Sequence, residues 1–199
     1  MSRFAEAMDE ILKGVSDALR QVDLTQVEVL IDELARSWGE GRKVLVVGAG
    51  RSSLVGRAFA MRLMHLGFDV YILGETINPA LNEGDIALVI SGSGSTTLPV
   101  TVAEMAKKLG VRVLAVTSNP ESQLGRTADL LVIVPGRSKV AHEEEYHSRQ
   151  LLGEHESLTP MGTLFENSCM VFMDSVIAEL MVRLRVSEED IRRRHAVIE

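Results

Sequence analysis

The first forty residues carry apolar side chains at three- and four-residue spacing, which is the period of an amphipathic helix. The pattern runs twice, from Phe4 to Leu19 and again from Val27 to Trp38. Asp23 or Thr25, both favoured helix caps, lies between the two runs. We therefore predict an N-terminal pair of helices over residues 3–38.

From Lys43 onward the pattern changes to short, continuous apolar runs that alternate with helical segments. Such runs are typical of parallel strands covered on both faces. The predicted strands are Lys43–Val47, Asp69–Leu73, Asp85–Ser91, Val111–Thr117 and Leu130–Val134, and the predicted helices are Ser52–Leu66, Thr96–Leu109 and a short one near Gln123. Right-handed crossovers favour the strand order 2-1-3-4-5. We predict an α/β fold, a three-layer α-β-α arrangement with a flavodoxin-like five-stranded parallel sheet.

The helix predicted over Thr163–Arg185 is apolar almost all round. It also contains Glu166, Asp174, Glu179 and Arg183, which are too many charges for a membrane span. A helix of this kind needs apolar cover on several sides. We expect a homo-oligomer in which this helix and the N-terminal pair pack between subunits.

Composition and charge argue against several classes of protein. The chain has 199 residues, 46% of them hydrophobic and 25% charged, as expected for one domain over residues 1–199. Its net charge of -7 gives no basic surface for nucleic acid. Cys169 is alone, so no intrachain disulfide can form, and the first residues lack the apolar core of a signal peptide. We expect a cytoplasmic protein that binds neither nucleic acid nor membrane.

Residues 135–160 form a polar stretch that is longer than an ordinary connection, and we predict a mobile flap there. Its histidines and acidic residues raise the alternative of a zinc site. These residues are His142, Glu143, Glu144, Glu145, His147, Glu154, His155 and Glu156. Their spacing does not match that of metal ligands, and no His-Glu-x-x-His helix is present, so we predict no metal.

Two loops rich in glycine and hydroxyl groups follow predicted strands 1 and 3, where the strand order reverses. Ligands of open α/β sheets bind at such a reversal. The second loop consists of Ser91, Gly92, Ser93, Gly94, Ser95 and Thr96. It leads into a helix, whose unpaired N–H groups favour an anion. We predict that it binds phosphate; the alternative is an ordinary capped turn.

The first loop, Gly48–Ser53, begins with Gly-x-Gly, but Ser53 stands where a dinucleotide fingerprint has its third glycine. The loop also lacks the lysine of a Walker A motif, so a dinucleotide site is disfavoured. Gly50, Arg51 and Ser52 lie at the mouth of the predicted crevice. Arg51 either pairs with phosphate or sugar oxygens or is an ordinary surface arginine.

These loops carry a family resemblance. Ser91–Thr96 resembles the Ser-x-Ser-Gly-x-Thr phosphate loop of sugar isomerase (SIS) domains, and Thr117–Pro120 resembles the turn after their fourth strand. Within that family the chain is most similar to the 6-phospho-3-hexuloisomerases, from about residue 40 to the end. The matching segments are Gly48–Ser52, Phe59–Gly67, Gly74–Thr76, Pro160–Glu166 and Arg194–Ala196. Ser95 departs from the pattern, because many SIS loops have an acidic residue there, and only its backbone N–H is assigned a role.

The resemblance implies a SIS-type fold and the conversion of 3-hexulose 6-phosphate to fructose 6-phosphate, in the ribulose monophosphate pathway of formaldehyde fixation. It also implies a cytoplasmic tetramer that needs no cofactor. One alternative is another SIS isomerase that interconverts an aldose phosphate and a ketose phosphate. Another is a non-catalytic module that senses a phosphosugar, although the chain has neither the room nor the charge for a DNA-binding domain.

Glu166 is the carboxylate in the least polar surroundings, and an apolar setting would suit it to act as the base in an enediol mechanism. From the residues alone, the alternative is that Thr163-x-x-Glu166 forms a capping box, in which the carboxylate only satisfies the helix N-terminus. The resemblance favours the base.

Two histidines are further candidates. His195 could donate a proton or contact a sugar hydroxyl from a tail that reaches a neighbouring subunit, or it could be a solvated terminal histidine. His65 lies among apolar residues, where a packing role and a substrate-binding role are both open. Arg192–Arg194 follow a Ser187-x-x-Asp190 capping box, and we predict a solvated helix end there.

Overall fold

The computed structural model describes residues 2–136 and 158–195. Five strands form the sheet: β1 (Lys43–Gly48), β2 (Asp69–Ile72), β3 (Ile86–Ile90), β4 (Arg112–Thr117) and β5 (Leu130–Ile133). Seven helices surround it within these residues: α1 (Arg3–Leu19), α2 (Leu24–Gly39), α3 (Arg51–Leu66), α4 (Thr97–Lys108), α5 (Gln123–Thr127), α6 (Thr163–Leu184) and α7 (Glu188–Arg194). The predicted boundaries agree to within one or two residues.

The five strands are all parallel and run in the order β2-β1-β3-β4-β5, so the predicted order is confirmed. Alternate residues of each strand enter two different cores. Leu88 of β3 packs with α2, α3 and α6 on one side, and Val89 packs with α4 and α5 on the other. Because both faces are covered, neither can be polar, which explains the continuous apolar runs in the sequence.

The structure corrects our argument that α6 requires apolar cover from other subunits. This helix packs against α1, α2 and α3 within one chain, so the cover that we expected from other subunits is supplied internally. Its buried residues are Phe165, Ser168, Cys169, Phe172, Met173, Val176, Ile177 and Leu180. Arg183 further ties α6 to α2, because its guanidinium pairs with Glu28 and Asp32. Exposed apolar residues remain on α6 at Val171 and Val182, and on α1, where Phe4, Met8 and Leu12 follow one another at helical spacing.

The chain end after α6 differs from the predicted solvated helix end. The Ser187–Asp190 capping box is present, and Arg192 and Arg193 pair with Glu189. Arg194 instead turns inward: its Nη1 donates to the carbonyl oxygen of His65 at 3.1 Å. This contact fixes α7 to the end of α3.

The predicted flap falls mostly outside the described residues, as do the histidines and acidic residues weighed as metal ligands. Of the helices that the structure describes, none is long and apolar enough to cross a membrane.

Candidate active site

A cavity of about 430 Å³ opens at the carboxyl ends of β1 and β3, where the strand order reverses. It is lined by residues 49–52, 90–93 and 96, together with Met161, Gly162, Phe165 and Glu166. The two loops predicted to form a crevice therefore do meet. The start of α6 completes the cavity, and this wall could not be placed from the sequence order.

Three helices, α3, α4 and α6, begin at this cavity. Their N-cap residues are Gly50, Thr96 and Gly162, and none of the three provides a side-chain hydrogen bond to its helix. The other four described helices are capped by the side chains of Ser2, Asp23, Ser122 and Ser187. The unpaired N–H groups and the positive dipole ends of three helices thus converge on one cavity, and this arrangement favours an anionic ligand.

The loop Ser91–Thr96 is anchored from behind by the β4–α5 turn. The carbonyl oxygen of Gly92 accepts from Ser118 N at 3.1 Å and from Ser118 Oγ at 2.7 Å. The carbonyl oxygen of Gly94 accepts from Leu124 N at 3.0 Å. Since these carbonyl groups are engaged on the side away from the cavity, the negative ends of the peptide dipoles are held back from an anion.

The loop's side chains form a weaker set of contacts. Ser93 Oγ lies 3.4 Å from Thr96 Oγ1 and accepts from Ser95 N at 3.3 Å. Both distances are long for hydrogen bonds, so a ligand can replace these contacts at small cost. Ser93 and Thr96 line the cavity and Ser95 does not, which agrees with assigning no side-chain role to Ser95.

The first loop needs glycine at two positions. Gly50 has a φ of 56°, which favours glycine, and a Cβ on Gly48 would lie 2.9 Å from the backbone of Ser53. Ser53 donates its Oγ to the Gly50 carbonyl oxygen at 2.6 Å. The residue that breaks the dinucleotide fingerprint is therefore a structural part of this turn.

The capping box at Thr163, which was the alternative to a catalytic Glu166, is wrong. Gly162 is the N-cap, with a φ of 87°, and Thr163 is the first helical residue. Glu166 therefore lies one position too late for the box, and its backbone N–H donates to the Gly162 carbonyl oxygen at 3.1 Å. A Cβ on Gly162 would lie 3.1 Å from Glu166 Oε1, so glycine leaves room for the carboxylate.

The Glu166 carboxylate points into the cavity and pairs with Arg51: Nε of Arg51 donates to Oε2 of Glu166. The Glu166 side chain is 13% exposed and that of Arg51 is 61% exposed. The surroundings of Glu166 are thus less apolar than the sequence suggested, because a cation from α3 reaches it. An ion pair with one partner so exposed contributes only about 0–1 kcal/mol.

Phe165 connects the two halves of the site, although sequence reasoning assigned it no role. A Cβ on Gly92 would lie 2.9 Å from its ring, and one on Gly136 would lie 2.5 Å from its Cβ. The ring is therefore wedged between the loop Ser91–Thr96 and the chain after β5. A large apolar residue directly before the candidate base was the only available signal.

One turn further along α6, Cys169 is fully buried. Burial, with a smaller contribution from the charge of Glu166, raises the pKa of the Cys169 thiol, so this thiol stays protonated and is not a nucleophile.

His65 and His195 do not line the cavity. His65 lies fourteen residues along α3 from Arg51, which is about 21 Å at the helical rise of 1.5 Å per residue. The two imidazole rings stack on each other, with centroids 4.6 Å apart. The structure thus brings both histidines together, but at the opposite end of α3 from the cavity in the same chain.

No group of three or more possible metal ligands occurs among residues 2–136 and 158–195. The cavity there offers hydroxyl groups, backbone N–H groups, one arginine and one carboxylate.

Comparison with known proteins places the chain in a family. A model of the SIS domain matches residues 40–147. The 3-hexulose-6-phosphate isomerase of Bacillus subtilis is 37% identical over 194 residues, covering 98% of each chain, and that of Mycobacterium gastri is 42% identical, covering 93% of this chain and 86% of the other. A crystal structure from Methanococcus jannaschii, from which a 3-hexulose-6-phosphate isomerase function is inferred, has a TM-score of 0.78 at 34% identity and covers 98% of this chain and 99% of that one. The chain belongs to the SIS domain family and is a relative of the 3-hexulose-6-phosphate isomerases.

Proposed function

We propose that the protein is an isomerase that converts 3-hexulose 6-phosphate to fructose 6-phosphate, acting in the ribulose monophosphate pathway of formaldehyde fixation. The observation that carries the proposal is the cavity itself, which places one carboxylate beside a loop suited to phosphate. The relatives of known name support the choice of sugar. We further propose that the whole chain is one SIS domain.

In this proposal the phosphate binds at Ser91–Thr96, where the α4 N-terminus and the hydroxyls of Ser93 and Thr96 can hold it. Gly50, Arg51 and Ser52 face the phosphate or sugar oxygens from the start of α3. This leaves the sugar carbons toward the start of α6. Glu166 is the one carboxylate among the cavity's described lining residues, and we assign it as the base.

The reaction requires only proton movement. Glu166 takes the proton from C2, which leaves an enediolate across C2 and C3, and returns a proton to C3. The hydroxyl proton moves from O2 to O3, so the carbonyl group ends at C2 and no electrons leave the substrate. The helix N-termini at the cavity favour the negative charge of the intermediate.

The structure of the substrate makes a ring-opening step unnecessary in the forward reaction. A carbonyl at C3 could close a five-membered ring only through O6, and O6 carries the phosphate. The substrate is therefore open-chain, and the forward reaction needs no acid to open a ring. The isomerisation can proceed with acid–base groups and without a cofactor.

We propose that the protein is a cytoplasmic homo-oligomer, a tetramer or a dimer. The exposed apolar side chains of α1 support this proposal, since Phe4 alone is 77% exposed. In an oligomer, His195 or His65 could serve a neighbouring subunit's cavity as a proton donor or a sugar-hydroxyl contact, which neither can do in its own chain.

The direct test is to incubate the purified chain with enzymatically made 3-hexulose 6-phosphate and to measure fructose 6-phosphate. We expect turnover, and we expect pentose and heptose phosphates in the aldose form to react far more slowly. Preferred turnover of an aldose phosphate would identify the alternative isomerase class. Tight binding of phosphosugars without any turnover would identify a sensing module instead.

A further inference from the structure

We propose that Arg51 is a substrate-operated switch: it pairs with Glu166 until the substrate binds and then passes to an oxyanion of the sugar phosphate, which frees the carboxylate. This inference rests on the proposed function, because it assigns Glu166 as the base. Arg51 is a positioning residue in this proposal, because it decides whether the Glu166 carboxylate is paired or free in addition to contributing to substrate affinity.

The geometry around Arg51 leaves the guanidinium able to make this exchange. Only Nε is engaged with Glu166, and among the described residues the guanidinium has no other hydrogen-bond partner. The two terminal nitrogens therefore remain for a ligand in the cavity that Arg51 lines. A guanidinium presents paired donors that match phosphate geometry, so an arriving phosphosugar offers a stronger partner than one carboxylate oxygen.

The pair is also easy to separate, because solvent reaches most of the Arg51 side chain. Glu166, by contrast, is fixed. Its backbone belongs to the first turn of α6, and the adjacent Phe165 is wedged between Gly92 and Gly136. The arginine is therefore the partner that moves.

The exchange matters for proton transfer. A carboxylate that accepts a hydrogen bond from a cation is a weaker proton acceptor than a free one. From the elements around Glu166, the charged or titratable groups described are Arg51 of α3 and the protonated thiol of Cys169 of α6, while Ser91–Thr96 adds only hydroxyl and backbone groups. Losing Arg51 thus leaves Glu166 without a neighbouring cation at the moment when the substrate is in place.

The experiment follows the Arg51 Nε–H signal by NMR. The probe is glucitol 6-phosphate, which carries a phosphate and hydroxyl groups but no carbonyl group and therefore does not react. The signal is assigned by its loss in Arg51→Lys. We expect Glu166→Gln to shift this signal in the free protein and to leave it unchanged in the complex, where the two side chains are apart. Arg57 lies on the same helix and pairs with exposed Glu75, and its signal is the matched control. Neither Glu166→Gln nor the probe should move it.

A signal that Glu166→Gln shifts equally in the free protein and in the complex would mean that Arg51 stays on Glu166, and the switch would be wrong. An Arg51 signal that the probe does not move would overturn it as well. This readout needs no turnover, so the switch is tested separately from the proposed function. Turnover of 3-hexulose 6-phosphate by the wild type tests the function alone.

Discussion

Gly94 packs directly onto Ser122, and a Cβ built on Gly94 would lie 2.5 Å from the Cβ of Ser122 and nearer still to its hydroxyl. Ser122 is the N-cap of α5, and its Oγ accepts a hydrogen bond from Gly125 N at 3.1 Å, which holds the side chain in place. The loop Ser91–Thr96 is thus fixed by the fit between its second glycine and the turn after β4.

This fit predicts that Gly94→Ala distorts the loop. Gly41 provides a matched control, because its φ of 63° is almost the same as the 62° of Gly94 but no atom lies within 4 Å of its would-be Cβ. Both variants carry the strain of alanine at positive φ, about 1–2 kcal/mol. We expect Gly94→Ala to lower the free energy of unfolding by about 1–3 kcal/mol more, and to weaken glucitol 6-phosphate binding. Denaturant titration and calorimetry measure both, and equal effects of the two variants would contradict the steric argument.

Glu166→Gln tests the base. Glutamine keeps the shape of the side chain and cannot accept a proton at neutral pH, so we expect kcat to fall by about 10²- to 10⁴-fold while phosphosugar binding persists. The measurement is steady-state kinetics with 3-hexulose 6-phosphate, with circular dichroism to check folding. A kcat close to that of the wild type would rule Glu166 out as the base, and His195 and His65 would then be tested.

Ser93→Ala tests the phosphate contact. Ser93 Oγ faces the cavity and makes only long contacts within its loop, so we expect its loss to raise KM by about tenfold with little change in kcat. Ser95→Ala is the control from the same loop, since Ser95 does not line the cavity, and it should leave KM unchanged. If both variants behave alike, the phosphate does not contact the Ser93 hydroxyl.

The Asp85 carboxyl group makes the stability of the fold depend on pH in the acid range. Burial pushes the pKa of its carboxyl upward, but hydrogen bonds from the backbone N–H groups of Asn82 and Lys43, together with the Lys43 ammonium, outweigh burial and lower the pKa. A carboxyl with a lowered pKa in the folded state stabilises the fold above its unfolded value of about 3.9 and loses that contribution as the pH falls further.

We therefore expect Asp85→Asn to cost about 1–3 kcal/mol of unfolding free energy at pH 7, because the amide cannot accept all three hydrogen bonds. The difference from the wild type should shrink as the pH falls below about 4. Urea denaturation at several pH values checks this. Asp174→Asn, which changes an exposed carboxylate on α6, should have little effect at any pH.

Metal removal should not affect activity. Proton transfer through an enediolate can run on acid–base groups, and the described cavity residues provide a carboxylate and hydroxyl groups. We expect the rate with 3-hexulose 6-phosphate to survive exhaustive dialysis against a chelator. Loss of activity that one particular divalent ion restores would show that the reaction needs a metal.

The fold could be predicted from the sequence because its signals are local or follow from chirality. Continuous apolar runs mark strands covered on both faces, helical periodicity marks the segments between them, and right-handed crossovers fix the strand order. The loop Ser91–Thr96 could be placed at the cavity for the same reason, since it is contiguous and its position at the strand reversal follows from that order.

The pairing of Glu166 with Arg51 was decided only by the tertiary structure, because it joins residues 115 positions apart. Local sequence rules allowed a capping box at Thr163, but the left-handed backbone of Gly162 starts α6 at Thr163 and turns the Glu166 carboxylate into the cavity. The cover of α6 by α1, α2 and α3, and the stacking of His65 on His195, depend likewise on how distant helices pack. Periodicity shows which face of a helix is apolar, whereas the element that this face contacts depends on how the whole chain packs.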